Sequence, residues 1–152
     1  MLTKTIAILT GQEECPLELL KVLGEQKLQL LFVCSDQQRK LRLTKQFEEL
    51  DTQAELDFIS CEKEGCWEAD VIILYQPAEF SSEIIERIRE VATQKTVLVV
   101  SQGQSKKDTH NFEALLPHSK VIAIELAELS DGNINSYFEL TEHRISEILG
   151  HQ

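Results

Sequence analysis

The sequence predicts an α/β fold: a single domain built on a doubly wound, mostly parallel sheet with helices on both faces. Three observations carry that prediction. Apolar runs alternate with helical periodicities along the 152 residues, and such alternation calls for crossover connections over a parallel sheet. Two of the runs, Val71-Ile72-Ile73-Leu74-Tyr75 and Thr96-Val97-Leu98-Val99-Val100, are almost wholly apolar, as strands covered on both faces are. Finally, no repeat, low-complexity stretch or linker divides residues 1–152, and the polar stretch 103–109 reads as a surface loop.

In chain order, Thr5-Ile6-Ala7-Ile8-Leu9-Thr10-Gly11-Gln12 reads as a buried strand entering a turn. Pro16 to Leu23 follows as a helix, with proline suited to its first position. Leu28 to Cys34 is a second strand, broken at Ser35-Asp36-Gln37. From Arg39 to Leu50, the residues Leu41, Leu43, Phe47 and Leu50 fall near one helical face. Ala54 to Cys61 is a third strand, and residues 62–68, polar and containing Gly65, are expected to form a short connection. Pro77 stops the run 71–75. Ser81 or Ser82 is expected to cap a helix whose Ile84, Ile85, Ile88 and Val91 form a buried stripe. The strand 96–100 leads to a polar loop, a short helix from His110 to Leu116, and a last strand from Val121 to Glu125. An amphipathic helix from about Leu140 to Leu149, ended by Gly150, closes the chain.

Composition narrows the function. The formal charge of −11, from 26 acids against 15 lysines and arginines, opposes nucleic-acid binding, which rests on neutralising phosphates. No run reaches the ~18 apolar residues of a membrane span. Met1 leads straight into a strand without a secretory signal, so the expected location is the cytoplasm and the acidic surface serves solubility. There Cys15, Cys34, Cys61 and Cys66 are expected as reduced thiols. The spacing of Cys61 and Cys66 does not match a zinc pair, and the four histidines are scattered, so no metal site is expected. Cys15, Cys34 and Cys61 each stand at or beyond the carboxyl end of a strand, which a parallel sheet would gather on one edge. Trp67, the sole tryptophan, is expected to pack at the boundary of the core. No catalytic constellation is evident.

The run Ala69-Asp70-Val71-Ile72-Ile73-Leu74-Tyr75-Gln76-Pro77, with the helix and strand after it, resembles the NADP-binding Rossmann domains of deazaflavin-dependent NADP reductases and pyrroline-carboxylate reductases. Residues 111–122 are similar to a later helix and strand of that family. The resemblance implies NADP or NAD as the candidate cofactor. It places Thr10, Gly11, Gln12 and Cys15 around the phosphate turn. Ser35 and Asp36 fall at the ribose hydroxyls, about 25 residues beyond Gly11. Arg39 and Lys40 fall near a ribose phosphate, and Tyr75, Gln76 and Pro77 on the nicotinamide side, with Ser101 and Gln102 opposite. Asp36 has an ordinary alternative as a helix cap.

The sequence departs from this family at its glycine loop. The three positions of G-x-G-x-x-G, where glycine lets the backbone approach a pyrophosphate, fall on Thr10, Gln12 and Cys15. Glu13 and Glu14 stand where the phosphates would sit. Two unit charges ~5 Å apart at an effective ε of ~20 interact by roughly 3 kcal/mol. The family's C-terminal helical domain has no counterpart in residues 1–152. Two functions are therefore expected. The first is a degenerate NAD(P)-type domain acting non-catalytically, through a small ligand or a protein partner. The second is an NAD(P)-dependent oxidoreductase-like protein with a non-standard cofactor loop, completed by a partner subunit. A homodimer is expected through Tyr137, Phe138 and the helix from Leu140 to Leu149.

Overall fold

The computed structural model describes residues 4–10, 17–25, 27–50, 52–75, 82–101 and 114–125. Six strands form one sheet: β1 (Lys4–Thr10), β2 (Leu28–Val33), β3 (Glu55–Ile59), β4 (Val71–Tyr75), β5 (Thr96–Ser101) and β6 (Lys120–Glu125). Their spatial order is β3-β2-β1-β4-β5-β6, and every neighbouring pair is parallel. The helices are α1 (Leu17–Gly24), α2 (Gln37–Glu49), α3 (Glu62–Glu68) and α4 (Ser82–Val91).

Side chains alternate across the strands, so each buried strand feeds two cores. On one face Ile6, Ile8, Val71, Ile73, Tyr75, Leu98 and Val100 pack with Leu19, Leu20 and Leu23 of α1 and with Leu43 and Phe47 of α2. On the other, Ala7, Leu9, Ile72, Leu74, Val97 and Val99 pack with Cys66 of α3 and with Ile85, Ile88 and Val91 of α4. The unbroken apolar runs of β4 and β5 reflect this double burial. β3, at the sheet edge, has no fully buried residue.

Three local expectations are corrected. Residues 62–68 form α3 instead of a connection. α2 starts at Gln37, and Leu41 lies outside its buried stripe at 69 % exposure, whereas Leu43 and Phe47 are buried. At about 100° per residue, Leu41 stands some 200° around the helix from Leu43. Trp67, expected at the core boundary, is 71 % exposed.

Tight contacts close the turns. A Cβ on Gly24, the last residue of α1, would lie 2.7 Å from Thr52 Cγ2, so glycine permits the approach of the segment entering β3. That segment's Gln53 and Ala54 amides donate to the Gly24 carbonyl at 2.8 and 3.3 Å. At the amino edge of the sheet, Thr5 and Asp70 exchange bonds. The Asp70 amide donates to the Thr5 carbonyl at 2.8 Å, and the Thr5 amide to Asp70 Oδ2 at 2.8 Å. Gln94, in the turn from α4 to β5, has φ 66, the left-handed region that favours glycine, and its amide donates to the His118 carbonyl at 2.8 Å.

Gly11, Gln12, Cys15, Gln76, Pro77 and Gln102 lie outside the described residues, as do Tyr137, Phe138 and the expected final helix. Of the expected helix from His110 to Leu116, Ala114 and Leu115 are described and helical.

Candidate functional site

The strand order reverses direction between β1 and β4. These two strands are neighbours, with Thr10 paired to Tyr75 at their carboxyl ends. β1 leads to α1 on one face of the sheet and β4 leads to α4 on the other. Connections that part in this way leave a crevice beyond the strand ends, the usual ligand position in open α/β sheets.

Beside this point lies a cleft of about 60 Å³ lined by Leu9 and Thr10 of β1, Val33 of β2, Glu62 of α3 and Ile84 of α4. It has room for a few water-sized groups, far below the ~300 Å³ of a drug-sized ligand site. Gly65 sets its wall. A Cβ there would lie 2.9 Å from Val33 Cγ2 and 3.1 Å from Ile59 Cγ2, so the bare glycine seats α3 against β2 and β3. Glu62 then opens α3 at the cleft, and Arg87 of α4 donates to its Oε2 at 3.4 Å. The described wall of the cleft carries three aliphatic side chains, one hydroxyl and one carboxylate.

The residues expected from sequence are distributed unequally. Thr10 lines the cleft. Ser35 is exposed just past β2. Asp36 is the N-cap of α2: its Oδ1 accepts the Gln38 amide at 2.9 Å and the Arg39 amide at 3.3 Å. Arg39 and Lys40 are half-buried in the first turn of that helix. Tyr75 is 2 % exposed and belongs to the core under α1, not to the cleft lining. Ser101 ends β5, paired with Glu125 of β6. The structure thus brings Thr10 and Tyr75 together as strand partners, while Asp36 caps the start of a helix that follows β2, two strands from β4.

Of the cysteines, Cys34 is buried one residue past β2, and its thiol donates to the Asp36 carbonyl at 3.6 Å. Cys61 precedes α3 and Cys66 is fully buried within it. Burial pushes the Cys66 thiol up to about 12, against a smaller opposing pull from Lys95. It is therefore a neutral packing group at ordinary pH.

Leu9, Val33, Glu62 and Ile84 were not among the residues expected from sequence. For Glu62 a signal existed, two acids at positions 62 and 64 in the first turn of α3, where they complement the helix dipole.

No protein-family model and no curated protein matches the chain. Solved structures do. An imine reductase from Myxococcus stipitatus in complex with NADP+ is 11 % identical, with a TM-score of 0.57 over 80 % of this chain and 39 % of its own. A protein assigned as an F420-dependent NADP reductase from Arthrobacter sp. FB24 is 12 % identical, with a TM-score of 0.51 over 78 % of this chain and 60 % of its own. The match thus spans less than two thirds of either protein's length. The likeness is one of architecture, and with the all-parallel order β3-β2-β1-β4-β5-β6 it shows a Rossmann-type α/β fold.

Proposed function

We propose that this chain is a degenerate NAD(P)-type Rossmann domain that acts by binding a small ligand or a protein partner, without catalysing hydride transfer on its own. The observation that carries the reading is the state of Asp36. The carboxylate that the sequence suggests for the ribose hydroxyls caps α2, its Oδ1 accepting the Gln38 and Arg39 amides. Two further features support it. Glu13 and Glu14 lie in the connection that would meet the pyrophosphate, and Glu62 adds a carboxylate at the cleft beside it. Phosphate oxygens are repelled by such groups, although Arg87 offsets part of the Glu62 charge, and the overall charge of −11 adds to the repulsion at longer range.

Isothermal titration with NADPH and NADH tests this directly. No heat of binding is expected below millimolar concentration, and a micromolar dissociation constant for either dinucleotide overturns the reading.

A second reading rests on the switch point itself, which keeps the topology of a dinucleotide crevice. Under it, an NAD(P)-dependent oxidoreductase-like site retains a non-standard cofactor loop and is completed by a partner subunit. A hydride acceptor at an open sheet edge needs a second surface to exclude water. Micromolar NADPH binding together with a dimeric mass by light scattering is the outcome this reading requires.

A further inference from the structure

One face of the sheet is buried beyond the reach of its described helices. On the face that carries α1 and α2, Leu98 and Val100 of β5 are 0 % exposed and Ile124 of β6 is 3 % exposed. α1 follows β1 and α2 follows β2, so both lie toward the β3 side of the order β3-β2-β1-β4-β5-β6. β6 stands three strands from β1. At the ~4.8 Å spacing of strands that is about 14 Å, whereas a helix reaches only about 5–6 Å to either side of its axis. The connections ahead of β6 run over the other face: α4 packs there, and so does Leu116 just before β6. Ile124 is nevertheless buried within the single chain.

Residues 126–152, outside the described residues, continue from β6 itself. Their sequence suits that face. Ile145, Ile148 and Leu149 fall at spacings of three and four, one helical stripe, with Tyr137 and Phe138 shortly before and His143 and Glu147 on the opposite side. A helix over 140–149 would span about 15 Å, against roughly 20 Å for a strand of β6's length. We infer that the segment 137–149 of the same chain packs across β5 and β6, its Ile145 stripe over Leu98, Val100 and Ile124. This inference is independent of the ligand reading above. The burial of Ile124 in a lone chain selects this occupant over a second copy. The first core is then closed from within the chain, by the same apolar stripe that the sequence offers for a homodimer contact, and a partner meets another surface.

Photo-crosslinking of the full chain tests the placement. A diazirine analogue of leucine replaces Ile145, and this chain is mixed with an equal amount of heavy-isotope chain before irradiation at micromolar concentration. Crosslinks are expected within one chain, to peptides carrying β5 or β6. Linkage chiefly between chains of unlike isotope, or linkage to neither strand, overturns the inference. Stability gives a second readout. Ile145→Asp sets a charge in the buried stripe and is expected to lower the folded-to-unfolded ratio about a hundredfold in urea denaturation. It is also expected to speed hydrogen exchange of the β6 amides. Glu147→Lys, on the opposite side of the same stretch, is expected to leave both unchanged. Equal losses in the two variants, or an Ile145→Asp chain as stable as wild type, overturn the inference as well.

Discussion

The two ends of the sheet are built differently. At the amino edge, backbone and side chains are tied across elements. Thr5 and Asp70 bond each other in both directions. Lys95 Nζ donates to the Cys66 carbonyl and, at 2.6 Å, to the Trp67 carbonyl at the end of α3, and it sits 5.9 Å from the Trp67 ring centroid. Ser119 Oγ donates to the Ala92 carbonyl at 2.8 Å. Among the described residues of the carboxyl edge, Asp36 caps α2, Glu62 meets Arg87, and the Cys34 amide donates to the Ile59 carbonyl at 2.8 Å. Among the described residues, the amino-edge bonds hold the ends of α3 and α4, and the carboxyl-edge bonds hold the starts of α2 and α3. α3 spans the two, opening at the cleft and closing on Lys95.

That contrast is sharpest at Gly65. Replacing it with alanine forces a methyl against Val33 and Ile59, and overpacking of this kind costs about 1–3 kcal/mol. Gly65→Ala is expected to lower the unfolding free energy from urea denaturation by that amount and to displace Glu62 from the cleft. A wild-type midpoint would remove α3 seating as the constraint.

Lys95→Met comes next. It keeps the aliphatic stem and deletes the ammonium that satisfies two helix-end carbonyls, a loss of about 2 kcal/mol for hydrogen bonds to a charged donor. If the amino edge is the stabilising one, this exceeds the loss from Asp36→Ala at the carboxyl edge. Asp36→Ala is expected to cost about 1 kcal/mol as a lost N-cap, with no change in NAD(P)H titration. An equal or reversed order in the two denaturation curves would erase the distinction between the edges.

The smallest effect below pH 9 belongs to Cys66. Its folded value of about 12 lies above the ordinary 9.0, so the folded chain holds a proton that the unfolded chain releases. Its contribution is full below pH 9 and declines from there to about pH 12, by up to about 1.4 kcal/mol per pH unit. Lys95 works in the opposite sense: burial lowers its value below the ordinary 10.5, so stability rises with pH up to that value. The alkaline decline is therefore expected to steepen in Lys95→Met and to flatten in Cys66→Ala, as read from urea midpoints between pH 8 and 10.5.

Most of the fold was legible because its signals are additive over several residues. Strands β1, β2, β4, β5 and β6 each present a run of apolar residues, and the alternation with helices fixes a parallel sheet. α3 was not legible. Seven residues with Gly65 at the centre and two apolar side chains, one of them exposed, carry too little periodicity to outweigh glycine's low helix propensity. The glycine is there for tertiary reasons, the closeness of Val33 and Ile59, which a local pattern does not contain. The same holds for the cleft, assembled from the ends of four separate elements. Asp36 was legible both as a cap and as a ribose acceptor, since one residue type suits both, and only geometry showed the two amides it accepts. Tyr75 follows suit: its place at a strand end suggested a ligand neighbour, while the parity of its position in β4 directed it into the core.

The central place of β1 bears on how the chain is made. Of the strands in this sheet, β1 leaves the ribosome before its neighbours, yet one of its two partners, β4, begins 65 residues after Ile6, at Val71. At a synthesis rate of roughly 5–20 residues per second, that edge waits about 3–13 s for its partner. During that interval an almost wholly apolar strand, Ile6 to Leu9, offers an open row of amides and carbonyls to any other extended chain. A nascent chain of this topology is therefore most exposed to misassociation between the emergence of β1 and that of β4, through a segment that ends up fully buried in the finished domain.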